Sequence, residues 1–370
     1  MQDILARAPA DFDPVGLDEL PGYSSDPLVD GWRAFLKSCQ RLLDDQCVLR
    51  SACPVPDGLF AAAELAIRRP QPTESEVRAY FSGHFSAFRI RPRKGSNPYP
   101  HGFVTGYFEP EALGSRVRAV GFQEPVRGRP PDLENIAITL DSVTYSASRV
   151  GENGRLAPYW SRAQIDAGAS AAPTILWLPD AIELFMIQVQ GSARVVLPDG
   201  SRMRLVYDGR NGHPYESIGR ILVSEGHLPI SEMSLNSLKA WVRNAGQRPG
   251  EPGRALLHRN PSYVFFRLVE ETDPAAGPIG GEGIPLTKLR SLAIDRAIWS
   301  YGLPFWVSGR LPADGGAEAE FQKLMIAQDT GSAIIGAARG DIFFGSGDAA
   351  GQTAARVRHE VEMFVLLPKT

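Results

Sequence analysis

The stretch Ala327-Gln-Asp-Thr-Gly-Ser-Ala-Ile334 presents an aspartate in Asp-Thr-Gly-Ser, directly after an apolar run. An aspartic protease displays a catalytic carboxylate in this way, so the fold turns on what the stretch belongs to. Such a protease needs two aspartates sharing one proton. The two-lobed type carries two Asp-Thr/Ser-Gly copies, and this chain has a single one, centred on Asp329 of 370 residues. The dimeric type would be a far shorter chain. Asp329 therefore needs another explanation.

The bulk numbers narrow the classes. With 43% hydrophobic residues the chain can bury a sizeable core, and its length suits about two domains. Charged residues make up 22%, the net charge is -3 and the positive charges are dispersed, so nucleic acid is not an expected partner. Gly 37 and Pro 30 are above ordinary usage and point to many turns and short strands. No apolar run approaches the ~18–20 residues that span a bilayer. The start, MQDILARAPADFDP, has no basic segment followed by an apolar one, and no early cysteine that would carry a lipid. The expectation is a soluble chain, either cytoplasmic or a mature form whose export signal is replaced by Met1. Cys39, Cys47 and Cys53 read as small buried thiols or as one disulfide, Cys39–Cys53, plus a free thiol. No histidine accompanies them at metal-ligand spacing, so neither a zinc site nor another cofactor is expected.

The first hundred residues read as helical. Trp32, Phe35, Leu36, Leu42 and Leu43 recur at near-helical spacing within Leu28–Leu43. Thr73-Glu-Ser-Glu76 is a capping box, followed by Val77, Tyr80, Phe81, His84, Phe85 and Phe88. From Phe103 the pattern shortens to strands: Phe103–Phe108, Leu184–Gln190 and a hairpin, Arg194–Leu197 with Arg202–Val206, turning at Pro198-Asp-Gly200. Helices are predicted around Ile218–Leu222, stopped by Gly226, and over Ser234–Asn244. Beyond Asn260 the chain reads as strand and turn, with strands at Pro304–Ser308, Phe321–Gln328, Ile342–Phe344 and Val357–Leu367. Helices, then strands, then a β-rich tail suit an α+β protein that is mainly β with N-terminal helices, containing one or two small barrels.

Carboxylates are the candidates for chemistry. No Gly-x-Ser-x-Gly elbow occurs. Asp341 lies in Arg339-Gly-Asp-Ile-Phe-Phe-Gly345, half-buried if the strand is real. Burial disfavours the charged form, and a carboxyl that keeps its proton near neutral pH can serve as a general acid. The bland reading makes Asp329 and Asp341 turn aspartates that satisfy backbone N–H groups.

Seven blocks in order carry a resemblance. They are Thr105-Gly-Tyr-Phe-Glu-Pro110, Gln188-Val-Gln-Gly-Ser192, Tyr207-Asp-Gly-Arg-Asn-Gly-His-Pro-Tyr215, Ser217-Ile-Gly-Arg220, Asn260-Pro-Ser-Tyr-Val-Phe-Phe266, Ala327-Gln-Asp-Thr-Gly331 and Gly340-Asp-Ile-Phe-Phe-Gly-Ser-Gly347. Together the set resembles the membrane-bound lytic murein transglycosylase A family, MltA. The resemblance implies a double-psi β-barrel domain with the N-terminal helices over roughly 1–110 and 270–370. It implies an inserted β-rich glycan-binding domain over 111–269, with a groove between the two. The implied reaction cleaves the β-1,4 bond between N-acetylmuramic acid and N-acetylglucosamine in peptidoglycan strands, leaving 1,6-anhydro ends. One carboxylate then suffices, because the substrate's own 6-hydroxyl is the nucleophile; ordinary glycosidases need two carboxylates.

Carried over by motif, Asp341 is the single acid and then base, and Asp329 supports it. Asp329 is expected to bond nearby backbone and to raise the Asp341 pKa by its charge. Thr105, Tyr107, Gln188, Gln190, Asn211, His213 and Tyr215 are candidate glycan contacts. Arg290 and Asp295 read as an internal ion pair or as site residues, with structure favoured. The implied location is the periplasm of a Gram-negative envelope, with outer-membrane association left to a lipid anchor this sequence does not display. Two other readings stay open. One is a barrel that binds cell-wall glycan without cutting it. The other is a hydrolytic glycosidase using Glu109 or Asp208 as second carboxylate.

Overall fold

The computed structural model describes residues 8–44, 48–93, 101–151, 153–271, 273–274, 276–313 and 317–369. They divide into two compact units, one of residues 1–108 and 275–370 and one of residues 109–274.

The first unit begins with strand β1 (Ala10–Val15) and three helices: α1 (Leu28–Leu43), α2 (Asp57–Ile67) and α3 (Glu74–His84). Helix α1 buries Leu28, Trp32, Phe35, Cys39 and Leu42, one apolar stripe at helical spacing. Pro27 cannot cap its exposed N–H groups, so Glu74 does, accepting from Leu28 N at 3.0 Å and Val29 N at 3.1 Å. Helix α3 starts on the capping box of Thr73 and Glu76. Trp32, Phe35, Tyr80, Phe81 and Phe85 then pack edge-on or tilted, with ring centroids 4.6–6.2 Å apart.

Eight strands follow one sheet. Besides β1 they are β2 (Phe85–Pro92), β3 (Gly102–Glu109), β4 (Ser291–Ile294), β5 (Pro304–Pro312), β6 (Glu318–Thr330), β7 (Arg339–Ser346) and β8 (Arg358–Pro368). The order is β1-β2-β8-β5-β6-β4-β7-β3, and β3 pairs back onto β8. Six strands, β8, β5, β6, β4, β7 and β3, thereby close a barrel, which removes the sheet edges. The expected double-psi barrel with an inserted second domain is the fold observed. Strand β4 is short and entirely buried, and it pairs parallel to β6 and antiparallel to β7. A seven-residue helix, α4 (Asp348–Ala354), interrupts the tail that reads as strand and turn only.

Arg290 and Asp295 are not partners of each other. Arg290 grips Asp26 with two nitrogens at 2.6 and 2.8 Å, fully buried. Asp295 accepts from Ala297 N and Gly336 N. Of the two readings of the cysteines, the thiol one holds for Cys39 and Cys53, which are not joined by a disulfide. Cys39 faces the core from α1, whereas Cys53 Sγ donates to Ala297 O at 3.1 Å. Cys47 lies outside the described residues.

The second unit contains a four-stranded sheet, in order Val264–Glu270, Arg202–Arg210, Ser192–Val196, Glu111–Leu113, the last pair parallel. Two buried glutamates, Glu109 near its start and Glu271 near its end, share Arg194 and Arg204 at 2.8–3.4 Å. The predicted strand Leu184–Gln190 is a helix, Ala181–Gln190. Asp180 caps it by accepting from Glu183 N, and Gly191 ends it at φ +84°. Leu184 and Ile187 enter one core cluster while Ala181, Ile182 and Phe185 enter another. A helix buried on two sides has a nearly continuous apolar sequence, which periodicity alone cannot tell from a strand.

Candidate active site

The barrel brings the two aspartates into register. Asp329 on β6 and Asp341 on β7 both stand opposite Ala293 on the intervening β4. Directly opposed residues share a face of the sheet. With strands ~4.8 Å apart, the two backbones are separated by about 10 Å across the small Ala293. A β-bulge makes this possible. Leu292 pairs with Ala327 but Ala293 pairs with Asp329, so Gln328 is the extra residue. Gln328 turns into the core, donating to Ala34 O at 2.8 Å and Ser38 Oγ at 2.9 Å and accepting from Ser291 Oγ at 2.5 Å. Asp329 is thereby displaced onto the opposite face.

Strand β3 supplies a hydroxyl to each carboxylate. Thr105 Oγ1 donates to Asp341 Oδ1 at 2.6 Å, and Tyr107 Oη donates to Asp329 Oδ2 at 2.9 Å. The spacing of two puts both side chains on one face of the strand. Gly106 between them faces inward, where a Cβ would meet Ala354 O at 2.8 Å and Phe344 at 2.9 Å, which explains the Thr-Gly-Tyr order. Asp329 Oδ1 accepts from Gly281 N and Thr330 N, each at 2.8 Å. Asp329 is thus a structural acceptor tied to backbone and to Tyr107. Neither carboxylate hydrogen-bonds the other, so no shared-proton dyad exists.

The electrostatics separate the two roles. Burial raises the Asp341 carboxyl to about 6, and the Asp329 charge adds to this; the Thr105 hydroxyl and the Arg339 guanidinium pull the other way. Tyr107 is held well above its ordinary value by burial and by both aspartates, so it stays a hydroxyl donor. Arg339, buried on β7, donates from Nη2 to Thr105 Oγ1 at 2.7 Å. Neither Arg339 nor Gly281 stands out in the sequence; the doubled glycine at 280–281 is the only local signal for the second.

Comparison with known proteins gives the family. Residues 103–267 match the MltA specific insert domain and residues 290–367 match the 3D domain. Over 279 residues the chain is 31% identical to membrane-bound lytic murein transglycosylase A of Escherichia coli K12, covering 74% of this chain and 67% of that protein. The chain belongs to the MltA family. Among solved MltA-type structures, the membrane-bound lytic murein transglycosylase from Agrobacterium tumefaciens superposes with a TM-score of 0.80 at 32% identity, covering 96% of this chain and 97% of that one. E. coli MltA with bound chitohexaose superposes with a TM-score of 0.68 at 25% identity, covering 98% and 96%.

The remaining candidate residues lie in the MltA-type insert and differ in what they have left to offer a ligand. Gln188 is buried; its Oε1 accepts from Arg162 at 2.6 Å and its Nε2 donates to Val264 O at 3.0 Å. Asn211 is fully buried, donating to Trp160 O and Pro261 O and accepting from Tyr263 N, each at 2.8 Å. Both side chains are committed to the scaffold. His213 Nε2 donates to Tyr159 O at 2.7 Å, and burial lowers its pKa, so it is a neutral packing histidine. Gln190 is half-buried at the helix end, and Tyr215 is 43% exposed. Glu109 is wholly enclosed by its arginines, which leaves it no role as the second carboxylate of a hydrolase. Asp208 is half-buried. Among the described residues no cluster of metal-ligating side chains exists and no helix is long and apolar enough to cross a membrane.

Proposed function

We propose that this chain is a lytic transglycosylase of peptidoglycan in which Asp341 acts alone, first as acid and then as base. Its MltA relatives are named lytic murein transglycosylases, and one was crystallised with chitohexaose. The observation that carries the single-residue reading is the state of Asp341: half-buried, raised to about 6, and bonded to a hydroxyl rather than to a second carboxylate.

In the first step the Asp341 proton passes to the glycosidic oxygen as the bond from the muramic acid anomeric carbon breaks. In the second, the 6-hydroxyl of the same sugar attacks that carbon and its proton returns to the Asp341 carboxylate. The carboxyl is regenerated, no water is consumed, and the product ends in 1,6-anhydro-muramic acid. Because nucleophile and electrophile belong to one sugar, the closing step is effectively unimolecular. Asp329 helps keep Asp341 protonated at the start. Tyr215 and Gln190 are the insert residues we read as glycan contacts. A murein substrate implies work in the periplasm.

The test is mass spectrometry of products released from purified sacculi, run beside Asp341→Asn. Anhydro ends with the parent chain and none with the variant are expected. Products one water heavier would make the enzyme a hydrolase. Sacculi bound without any release would make it a binding protein.

A further inference from the structure

The site contains a chain of donors with a fixed direction. Arginine can only donate hydrogen bonds, whereas a hydroxyl has one proton to give and lone pairs to accept with. Arg339 Nη2 sits 2.7 Å from Thr105 Oγ1, and that oxygen sits 2.6 Å from Asp341 Oδ1. We propose that Arg339 is a positioning residue that acts through Thr105: it fills the hydroxyl's lone pair, aims the Thr105 proton at Asp341 Oδ1, and so assigns the catalytic proton to Oδ2. This rests on the reading of Asp341 as the acid.

The geometry allows little else. Arg339 is 7% exposed, and its guanidinium lies 5.6 Å from the Phe103 ring and also donates to Gly340 O. It cannot rotate away without leaving a buried charge unsatisfied. Oδ1, occupied by the Thr105 proton, is the carbonyl-type oxygen of the neutral acid. Oδ2 has no hydrogen-bond partner among the described residues and is left to protonate the leaving oxygen. The same oxygen then receives the proton from the 6-hydroxyl. The groups facing Asp341 are Thr105 and Tyr107 from β3, Asp329 from β6 and Arg339 from its own strand. Removing either Thr105's hydroxyl or Arg339's charge takes away a group that favours the carboxylate, so both changes push the acid's titration upward.

The experiment measures anhydro-product release against pH for Thr105→Val, Thr105→Ser, Arg339→Met and the double variant Thr105→Val/Arg339→Met. Thr105→Val and Arg339→Met are each expected to lower kcat about tenfold with little change in KM. Each should move the high-pH limb upward by on the order of one pH unit. Thr105→Ser should restore most of the rate, and the double variant should be no slower than Thr105→Val. Equal losses from Arg339→Met with and without the Thr105 hydroxyl would overturn the relay. So would a parental kcat and limb in Arg339→Met. Should that variant fail to fold, Arg339→Lys keeps the charge but loses the fork; it should lower kcat while moving the limb less, and parental behaviour would sink the idea. Asp341→Asn run alongside separates the two claims. Normal turnover there removes the acid itself, whereas a dead variant beside a normal Arg339→Met removes only the relay.

Discussion

Asp329 and Asp341, twelve residues apart in sequence, stand opposite the same residue, Ala293, on the two flanks of one buried strand. The pairing keeps them close enough to feel each other's charge and too far apart to share a proton. Only Asp341 is placed to pass a proton to the substrate, and the pH dependence of the reaction should report that acid. Asp341 must hold its proton to begin, so the rate should fall as pH rises through about 6. Asp329→Asn removes a charge that raises this value, so its high-pH limb should lie at lower pH. Initial rates of product release across pH check both; an unmoved limb would remove the electrostatic role of Asp329.

The Asp341 side chain should also weaken the fold. An acid whose folded pKa is raised from 3.8 to about 6 releases its proton more readily when unfolded. Stability is therefore lost as pH rises between those values and stays lost above them. Asp341→Asn avoids the loss, and at neutral pH it should be more stable by on the order of 2 kcal/mol while being inactive. Below pH ~4 the difference should vanish. Thermal melts at the two pH values decide this, and a variant less stable at neutral pH would contradict it.

Tyr107→Phe leaves Asp329 with its two backbone donors and removes the third. A hydrogen bond to a charged acceptor is worth about 1.5–3 kcal/mol, part of which the rate should feel. A drop in kcat of roughly tenfold is expected, with sacculus binding retained. Loss of binding instead would make Tyr107 a glycan contact first.

Residues of the insert should sort by what their polar atoms already do. Asn211→Ala strands Tyr263 N and two carbonyls in the interior, and should cost about 2–3 kcal/mol of stability. Tyr215→Ala should leave the melting temperature nearly unchanged and raise KM. The reverse pattern would exchange their roles.

The ion-pair cluster of the insert gives a further stability test. Arg204→Met takes one of their two shared arginines from Glu109 and Glu271, whose side chains are fully buried. Removing one partner of a buried pair costs about 3–5 kcal/mol. Chemical denaturation is expected to show a loss of that size, with product release per folded molecule unaffected.

Much of this architecture is legible in the sequence where a single element decides it. The Thr73–Glu76 box, the stripe from Trp32 to Leu42 and the Pro198-Asp-Gly200 hairpin all rest on local periodicity or turn chemistry, and they form as read. The helix Ala181–Gln190 escaped because two cores take opposite faces of it and erase its period. Strand β4 escaped because four buried residues carry no alternation. At the site, the motifs single out both aspartates, Thr105 and Tyr107. That Thr105 and Tyr107 give their hydroxyls to carboxylates is a fact of tertiary pairing, invisible to spacing. Arg339 was hidden for the same reason: its meaning lies 234 positions away, on Thr105.

The bulge at Gln328 has a bearing on descent as well as on geometry. A bulge absorbs one extra residue, so the side chains beyond it keep the facing they would have without it. Remove Gln328, and the carboxylate would still stand opposite Ala293, but the amide that ties this strand to Ala34, Ser38 and Ser291 would be gone. Strand, barrel and composition would survive nearly intact. A homologue can therefore show a single gap before the aspartate and keep both carboxylates in register, having given up only the amide that anchors the strand to the helix behind it.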